Sequence, residues 1–155
     1  TQANTNVIYG NKGLKLLTEG FTPQETLNTL LEEDPERELR QVAIMDFKRR
    51  KAVFTGANAP HFRAEIIGED YIALGNLISR RNVISIMAKE FESSSGDLAW
   101  RMANALKAGS KSGGDKRGEK SAALIVVGTE KVELKIKMDA HENPVEELCR
   151  KLKSR

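Results

Sequence analysis

The chain has 155 residues, of which 39% are hydrophobic and 30% charged, as in an ordinary globular domain. No stretch approaches the roughly 20 apolar residues that a membrane-spanning helix requires, and the single cysteine, Cys149, excludes an internal disulfide. We therefore expect one cytoplasmic domain over residues 1–155, with no membrane partner.

The net charge of +3 is concentrated in one segment of the chain. Residues 107–120 contain five basic residues and two acidic ones, so the remainder of the chain is balanced. Nucleic-acid binders usually spread basic charge across a face, and no aromatic residue interrupts this segment. We therefore expect no nucleic-acid partner.

Two helices are predicted first in the chain. In "NKGLKLLTEG" the leucines cluster, and Gly20 suits the position after a helix end. In "FTPQETLNTLLEEDP" Thr22 is the expected cap, Pro23 takes the first helical position and Glu25 completes a capping box. The expected buried face of this second helix comprises Leu27, Leu30 and Leu31.

Two hairpins and two further helices are predicted next. "QVAIMDF" and "KAVFTG" flank a basic turn at 48–50, and "FRAEIIGEDYIALGNLI" contains a second strand pair with its bend at 68–70. "RNVISIMAKEFESS", with Asn82 as its cap, and "GDLAWRMANALKAG" have helical periodicity. Residues 108–120 are predicted to form a loop because they contain no apolar residue after Ala108.

The last part of the chain is predicted to contain two strands and a helix. "SAALIVV" is apolar throughout and expected to be central in a sheet, whereas "KVELKIKM" alternates and is expected to be half exposed. A final helix is predicted from Asn143, with Glu146 in a capping box. The order ααββββααββα predicts an α+β fold of antiparallel sheets covered by helices.

The glycine-rich segment does not meet the requirements of a phosphate-binding loop. Gly109 and Gly114 have the Walker A spacing, but Asp115 stands where lysine should follow, and the segment precedes a strand rather than a helix. The only histidines are His61 and His141, and although Asp139 and His141 could face one site, two ligands do not make a zinc or iron centre. We expect no metal and no cofactor. For the glycine-rich segment, a solvated surface loop is the alternative to a functional loop.

Thr1 carries a hydroxyl and a free α-amine on one residue. The pKa of an α-amine is ordinarily about 7.7–8.0, so near neutral pH part of the amine population can act as the base for the adjacent hydroxyl. Such a nucleophile needs no histidine. The alternative is that position 1 is simply where the chain starts.

Several stretches resemble the domain of unknown function 1028 family. They are "TQANTNVIYGNKGLKLLTEGFTPQETLNTLLEEDPERELRQVAIMD", "AVFTG", "YIALGNLI", "GGDKRGEKSAALIVV" and "HENPVEEL", and they cover nearly the entire chain. The resemblance implies the fold of the N-terminal-nucleophile hydrolases, an αββα sandwich of antiparallel sheets between helix layers. It also implies a leading segment of a few strands before Thr1. We therefore expect this chain to be the larger product of a cleavage at Thr1.

The interpretation that follows is an autoprocessed N-terminal-nucleophile-type hydrolase of amide or peptide bonds. Thr1 is the expected nucleophile, and Asn76 is the expected oxyanion donor. Asp115 and Arg117 are expected to bind a polar or carboxylate group of the substrate. The expected partners are the cleaved leading segment as a second chain, a further copy of the chain in a homo-oligomer, and a small peptide or amide substrate.

Two alternatives to this interpretation stay open. In the first, the chain is a non-catalytic ligand-binding or assembly module on the same fold. In the second, the nucleophile lies in the leading segment and Thr1 is only a processing site. In either case Asn76 is a turn residue, and the pair formed by Asp115 and Arg117 is an exposed contact of little energy.

Overall fold

The computed structural model describes residues 1–155, which divide into two compact units, Thr1–Leu77 and Ile78–Arg155. Each unit combines helices with two-stranded antiparallel sheets and contains its own hydrophobic core. The predicted α+β class is confirmed, with five α-helices and six strands. None of these helices combines the length and apolar character needed to span a membrane. The expectation of one domain stays a prediction.

Unit 1 contains two helices followed by two hairpins. Both hairpins occur where the sequence predicts them, and each pairs its strands without a register shift. The elements are α1 (Ile8–Thr18), α2 (Pro23–Glu32), a short 3-10 helix (Arg37–Leu39), β1 (Gln41–Met45), β2 (Lys51–Thr55), β3 (Ala64–Ile67) and β4 (Ile72–Gly75).

The ends of α1 and α2 follow the sequence signals. The Thr22 hydroxyl accepts the backbone N–H of Glu25 at 3.2 Å, and the Glu25 carboxylate accepts the backbone N–H of Thr22 at 2.8 Å. The predicted capping box is therefore present. Gly20 has a φ of +98°, the left-handed conformation that glycine adopts without penalty after a helix end.

The core of unit 1 lies between the two helices and the first hairpin. Helix α1 begins at Ile8, before the predicted segment, and so includes Tyr9, which is a member of this core. Leu31 is only partly buried, in contrast to the other two predicted leucines. The buried members of the core are Tyr9, Leu27, Leu30, Val42 and Ala52.

Unit 2 contains a helix pair, a hairpin and a last helix. Its elements are α3 (Val83–Ser93), α4 (Leu98–Lys111), β5 (Ala122–Val127), β6 (Val132–Met138) and α5 (Pro144–Lys153). Alternate residues of β6 face the core, as predicted. The buried members of this core are Ala99, Ala103, Leu124, Leu134, Ile136, Met138, Leu148, Cys149 and Leu152.

The predicted loop at 108–120 is wrong in its first part, because α4 continues to Lys111. Gly109 lies inside this helix, where a Cβ would lie 2.6 Å from Cγ and 2.7 Å from Sδ of Met87 in α3. Glycine therefore allows α3 and α4 to approach closely. The segment was predicted to be a loop because it contains no apolar residue after Ala108.

Three further details of unit 2 differ from the prediction. Neither Asn82 nor Asn143 makes a capping hydrogen bond, whereas Asp97 caps α4 by accepting a first-turn N–H at 2.8 Å. Glu146 pairs with Lys107 at 2.9 Å and forms no capping box.

Strand β5 is not the buried central strand that its apolar sequence predicts. It pairs with β6 alone, and Ile125 and Val127 are 47% and 60% exposed. An apolar run therefore did not indicate burial on both faces here.

Candidate functional site

Thr1 lies at the border of a cleft in unit 1 between α1 and β1. The backbone directly after it is fixed, because Gln2 donates its N–H to the carbonyl of Gln41 at 2.8 Å and accepts the N–H of Gln41 at 2.9 Å. This pair of bonds is an isolated antiparallel bridge to the first residue of β1. Thr1 itself is exposed.

The cleft beside Thr1 is mainly apolar. Its volume of about 210 Å³ is below the roughly 300–1,000 Å³ of typical small-molecule pockets. Its apolar lining includes Leu14, Leu17, Leu30, Val42 and Ile44.

The side chain of Gln41 connects Asn76 with Gln2, the residue that follows Thr1. Its Oε1 accepts from Nε2 of Gln2 at 2.6 Å and from Nδ2 of Asn76 at 3.3 Å. Its own Nε2 donates to the hydroxyl of Thr55 at 3.0 Å and to two carbonyls of the second hairpin at 3.3 Å. One oxygen atom of the buried Gln41 side chain therefore accepts hydrogen bonds from both Asn76 and Gln2, the residue next to Thr1.

Asn76 is compatible with the predicted oxyanion role but is already engaged. A side-chain amide has two N–H donors, and the bond to Gln41 uses one of them. The second donor is the one that an oxyanion would take. The same bond fixes the rotamer of Asn76, which is what a donor for developing charge needs.

A buried ion pair that the sequence analysis missed anchors the segment after Gln2. Nε of Arg40 donates to Oδ2 of Asp34 at 2.8 Å, and the hydroxyl of Tyr9 donates to the same oxygen at 2.9 Å. Arg40 also donates to the backbone carbonyl of Asn4. Asn4 and Tyr9 are thereby tied to Asp34 and Arg40, which lie between α2 and β1.

The charges in this network are strongly coupled. The Arg40 guanidinium holds the pKa of Asp34 well below its usual range, and Asp34 in turn raises the pKa of Arg40. Burial, together with the bond to Asp34, raises the pKa of Tyr9 above its ordinary value. The three groups therefore keep their normal charges across the physiological range.

Asp115 and Arg117, the predicted substrate-binding residues, lie in unit 2 and pair with each other. The guanidinium makes a two-pronged contact through Nη2 at 2.6 Å and Nε at 2.9 Å, which lowers the pKa of Asp115. The Asp115 carboxylate also accepts the backbone N–H of Arg117 at 2.8 Å. The pair orders the glycine-rich turn after α4, and a substrate carboxylate would have to exchange with Asp115 for the guanidinium.

The remaining candidate groups are the metal-ligating side chains and Cys149. No three of the His, Cys, Asp and Glu side chains cluster as metal ligands would. Burial raises the pKa of the Cys149 thiol, which suits a packing residue rather than a nucleophile.

The fold and the site define a mixed α+β protein in which Gln2 is hydrogen-bonded to the first residue of β1, Gln41, whose side chain is buried. The chain belongs to the family described as "Family of unknown function (DUF1028)", whose model matches residues 1–148. The predicted family is therefore confirmed. Its relation to the N-terminal-nucleophile hydrolases stays a prediction.

A solved structure is similar to this chain. It is the crystal structure of protein SPO2555 from Silicibacter pomeroyi, described with the same family, with a TM-score of 0.89 and 27% sequence identity. The likeness covers 98% of this chain and 66% of that chain. No curated protein matches this chain.

Proposed function

We propose that the chain is an amide or peptide hydrolase of the N-terminal-nucleophile type, with the αββα layering of that class and Thr1 as its nucleophile. The Thr1 oxygen adds to an amide carbonyl carbon while the α-amine accepts the hydroxyl proton. The amine then passes this proton to the leaving nitrogen as the C–N bond breaks, and an acyl ester remains on Thr1. Water hydrolyses the ester and restores the hydroxyl.

The observation that carries this proposal is the shared acceptor on Gln41. Its Oε1 binds both the side chain of Gln2, next to the nucleophile, and that of Asn76, the proposed oxyanion donor. Nucleophile and donor must be held by surrounding contacts for such chemistry to be efficient. Gln41 is fully buried and supports Asn76 directly and Thr1 only through the neighbouring Gln2.

Asp115 and Arg117 enter the proposal as the residues that bind a polar or carboxylate group of a small peptide or amide substrate. Arg117 is 66% exposed at its side chain and already holds a carboxylate in a two-pronged contact. A substrate carboxylate would present the same geometry to the guanidinium. The pair contributes no nucleophile or base.

The proposal is tested on a longer chain in which residues precede Thr1. Self-processing predicts two fragments by intact mass under denaturing conditions, the larger beginning at Thr1. Thr1→Ser should still be cut, whereas Thr1→Ala should stay whole because it lacks the hydroxyl that attacks the preceding carbonyl. Efficient cleavage of the Thr1→Ala chain would assign the cut to a foreign protease.

A second candidate function is a non-catalytic binding or assembly module. The observation that favours it is the apolar cleft beside an unpaired strand edge, which suits an extended polypeptide. In that case Gln2, Gln41 and Asn76 only fix the edge. An intact protein whose Thr1 is not acylated by an electrophile but which binds peptides would select this function.

A further inference from the structure

Glu65 in β3 is joined to Gln41 through the hydroxyl of Thr55. Gln41 and Thr55 lie directly opposite each other in the pairing of β1 with β2, so their side chains share a face of the sheet. The Thr55 hydroxyl accepts from Nε2 of Gln41 at 3.0 Å and donates to Oε2 of Glu65. A chain of hydrogen bonds therefore connects the exposed Glu65 carboxylate with the buried Gln41 side chain.

The Glu65 carboxylate gives this chain of hydrogen bonds a direction. An ionised carboxylate only accepts hydrogen bonds, and a hydroxyl has a single hydrogen to donate. Because that hydrogen is committed to Glu65, the Thr55 oxygen can only accept from Gln41. The group of Gln41 that faces Thr55 must therefore be its NH₂ group.

The direction of the Gln41 carboxamide in turn decides what it offers to Gln2 and Asn76. The oxygen and nitrogen of a carboxamide are nearly equal in size, so its hydrogen-bond partners decide which way round it lies. With Nε2 toward Thr55, Oε1 faces Nε2 of Gln2 at 2.6 Å and Nδ2 of Asn76 at 3.3 Å. Both neighbours must then donate, so the nitrogen of Asn76 is turned toward Gln41.

Two backbone carbonyls favour the same direction but lie farther from Gln41. Nε2 of Gln41 is 3.3 Å from the carbonyl oxygens of Ala64 and Gly75, whereas it is 3.0 Å from the Thr55 oxygen. Hydrogen bonds in a chain strengthen one another, so donation to the Glu65 carboxylate makes the Thr55 oxygen a better acceptor. Thr55 is therefore the dominant partner of the Gln41 NH₂ group.

We propose that Glu65 is a positioning residue of the candidate site. Acting through Thr55, it fixes the direction of the Gln41 carboxamide and thereby that of the Asn76 amide. The inference rests on the proposed function, because the direction of the Asn76 amide affects the reaction only if Asn76 donates to an oxyanion. Glu65 itself takes no part in making or breaking bonds.

The test variants separate the direction of the hydrogen bonds from the presence of a side chain. Thr55→Val keeps the shape of the side chain and removes the hydroxyl, whereas Thr55→Ser keeps the hydroxyl. Glu65→Gln keeps a hydrogen-bonding group, but one that can donate as well as accept, so the direction is no longer imposed. Glu69→Gln is the matched control, because it removes an exposed carboxylate at the turn of the same hairpin.

The first readout is NMR of the side-chain NH₂ groups of Gln41 and Asn76, which does not depend on turnover. In Thr55→Val and Glu65→Gln, the signals of both groups should shift, and the Gln41 hydrogens should exchange with solvent about tenfold faster or more. Thr55→Ser and Glu69→Gln should keep the wild-type exchange rates. Unchanged Gln41 and Asn76 signals in Glu65→Gln overturn the proposal, and so does a change confined to Thr55→Val.

The second readout is the rate at which a peptide-like β-lactone acylates Thr1. Glu65→Gln should slow this reaction about fivefold, the size expected for loss of one neutral hydrogen bond, whereas Glu69→Gln should not. Equal rates in the wild type and Glu65→Gln overturn the positioning role. A wild type that forms no adduct contradicts the proposed function instead, and the NMR readout still decides whether Glu65 directs the Gln41 carboxamide.

Discussion

The guanidinium of Arg40 and the carboxylate of Asp34 form an ion pair inside unit 1, with side chains only 6% and 5% exposed. Two hydrogen bonds join them, from Nε at 2.8 Å and from Nη2 at 3.2 Å. Asp34 also accepts a hydrogen bond from the Tyr9 hydroxyl, and Arg40 also donates one to the Asn4 carbonyl. The pair therefore fixes the segment that leads from Thr1 into the first helix.

Arg40→Met should destabilise the protein because it leaves the Asp34 carboxylate buried with its main partner gone. Removing one member of a buried pair costs roughly 3–5 kcal/mol. Urea unfolding measures the loss. Arg150→Met is the control, since Arg150 is 68% exposed and its pair with Glu147 should contribute no more than about 1 kcal/mol. Equal stability of the two variants would contradict the role of the network.

Asp34 should also make stability depend on pH in the acid range. Its pKa is lowered in the folded state, so its contribution is fully present above the unfolded value of about 3.9. The contribution is lost as the pH falls from there toward the folded value. The free energy of unfolding should therefore decline more steeply below pH ~4 in the wild type than in Asp34→Asn.

The control for this pH dependence is Asp139→Asn, which changes a carboxylate that is 64% exposed. It should follow the wild-type decline. Asp34→Asn should already be less stable at pH 7. If Asp34→Asn were as stable as the wild type at pH 7 and lost the same stability in acid, the ion pair would contribute nothing.

Gly109→Ala should destabilise unit 2 although alanine is the better helix former. The added Cβ would lie 2.6 Å from Cγ of Met87, and overpacking of this kind costs about 1–3 kcal/mol. Gly10→Ala in α1 is the matched control, because nothing lies within 4 Å of its Cβ. It should stabilise by about 0.5–1 kcal/mol. A stabilising Gly109→Ala would show that α3 and α4 can separate freely.

Local signals in the sequence predicted the elements of the fold well. The capping box of Thr22 and Glu25 and the left-handed Gly20 depend on neighbouring residues only. The end of α4 was missed because the residues after Ala108 are not apolar, and the close approach that Gly109 allows is to Met87, in another helix. A pattern within one segment carries no information on that contact.

The site was harder to predict than the fold. Thr1 and Asn76 were chosen by residue type. The hydrogen bonds that join Asn76 to Gln2, the residue after Thr1, pass through Gln41, which the sequence analysis treated as the start of a strand. Asp34 was overlooked because it precedes Pro35 and was taken as part of a helix end. Its partners Tyr9 and Arg40 have no regular spacing relative to it.

Arg117→Ala should impair amide turnover or binding of a carboxylate-bearing peptide while leaving the Tm nearly unchanged. The side chain is 66% exposed, and a surface ion pair contributes at most about 1 kcal/mol. Arg150→Ala, which removes an arginine of equal exposure, should preserve activity. Unaltered turnover and peptide binding in Arg117→Ala would make the glycine-rich turn a solvated surface loop.

The most direct test of the central claim is covalent labelling of Thr1 in protein whose α-amine is free. A peptide-like β-lactone should acylate the Thr1 hydroxyl, giving one adduct by intact mass that peptide mapping places on Thr1. Thr1→Ser should keep the adduct, Thr1→Ala should lose it, and Asn76→Ala should slow its formation by about 10²-fold or more, the range for loss of one oxyanion donor. A folded wild type with no adduct, or an equal adduct in Thr1→Ala, would contradict the assignment of Thr1 as a nucleophile.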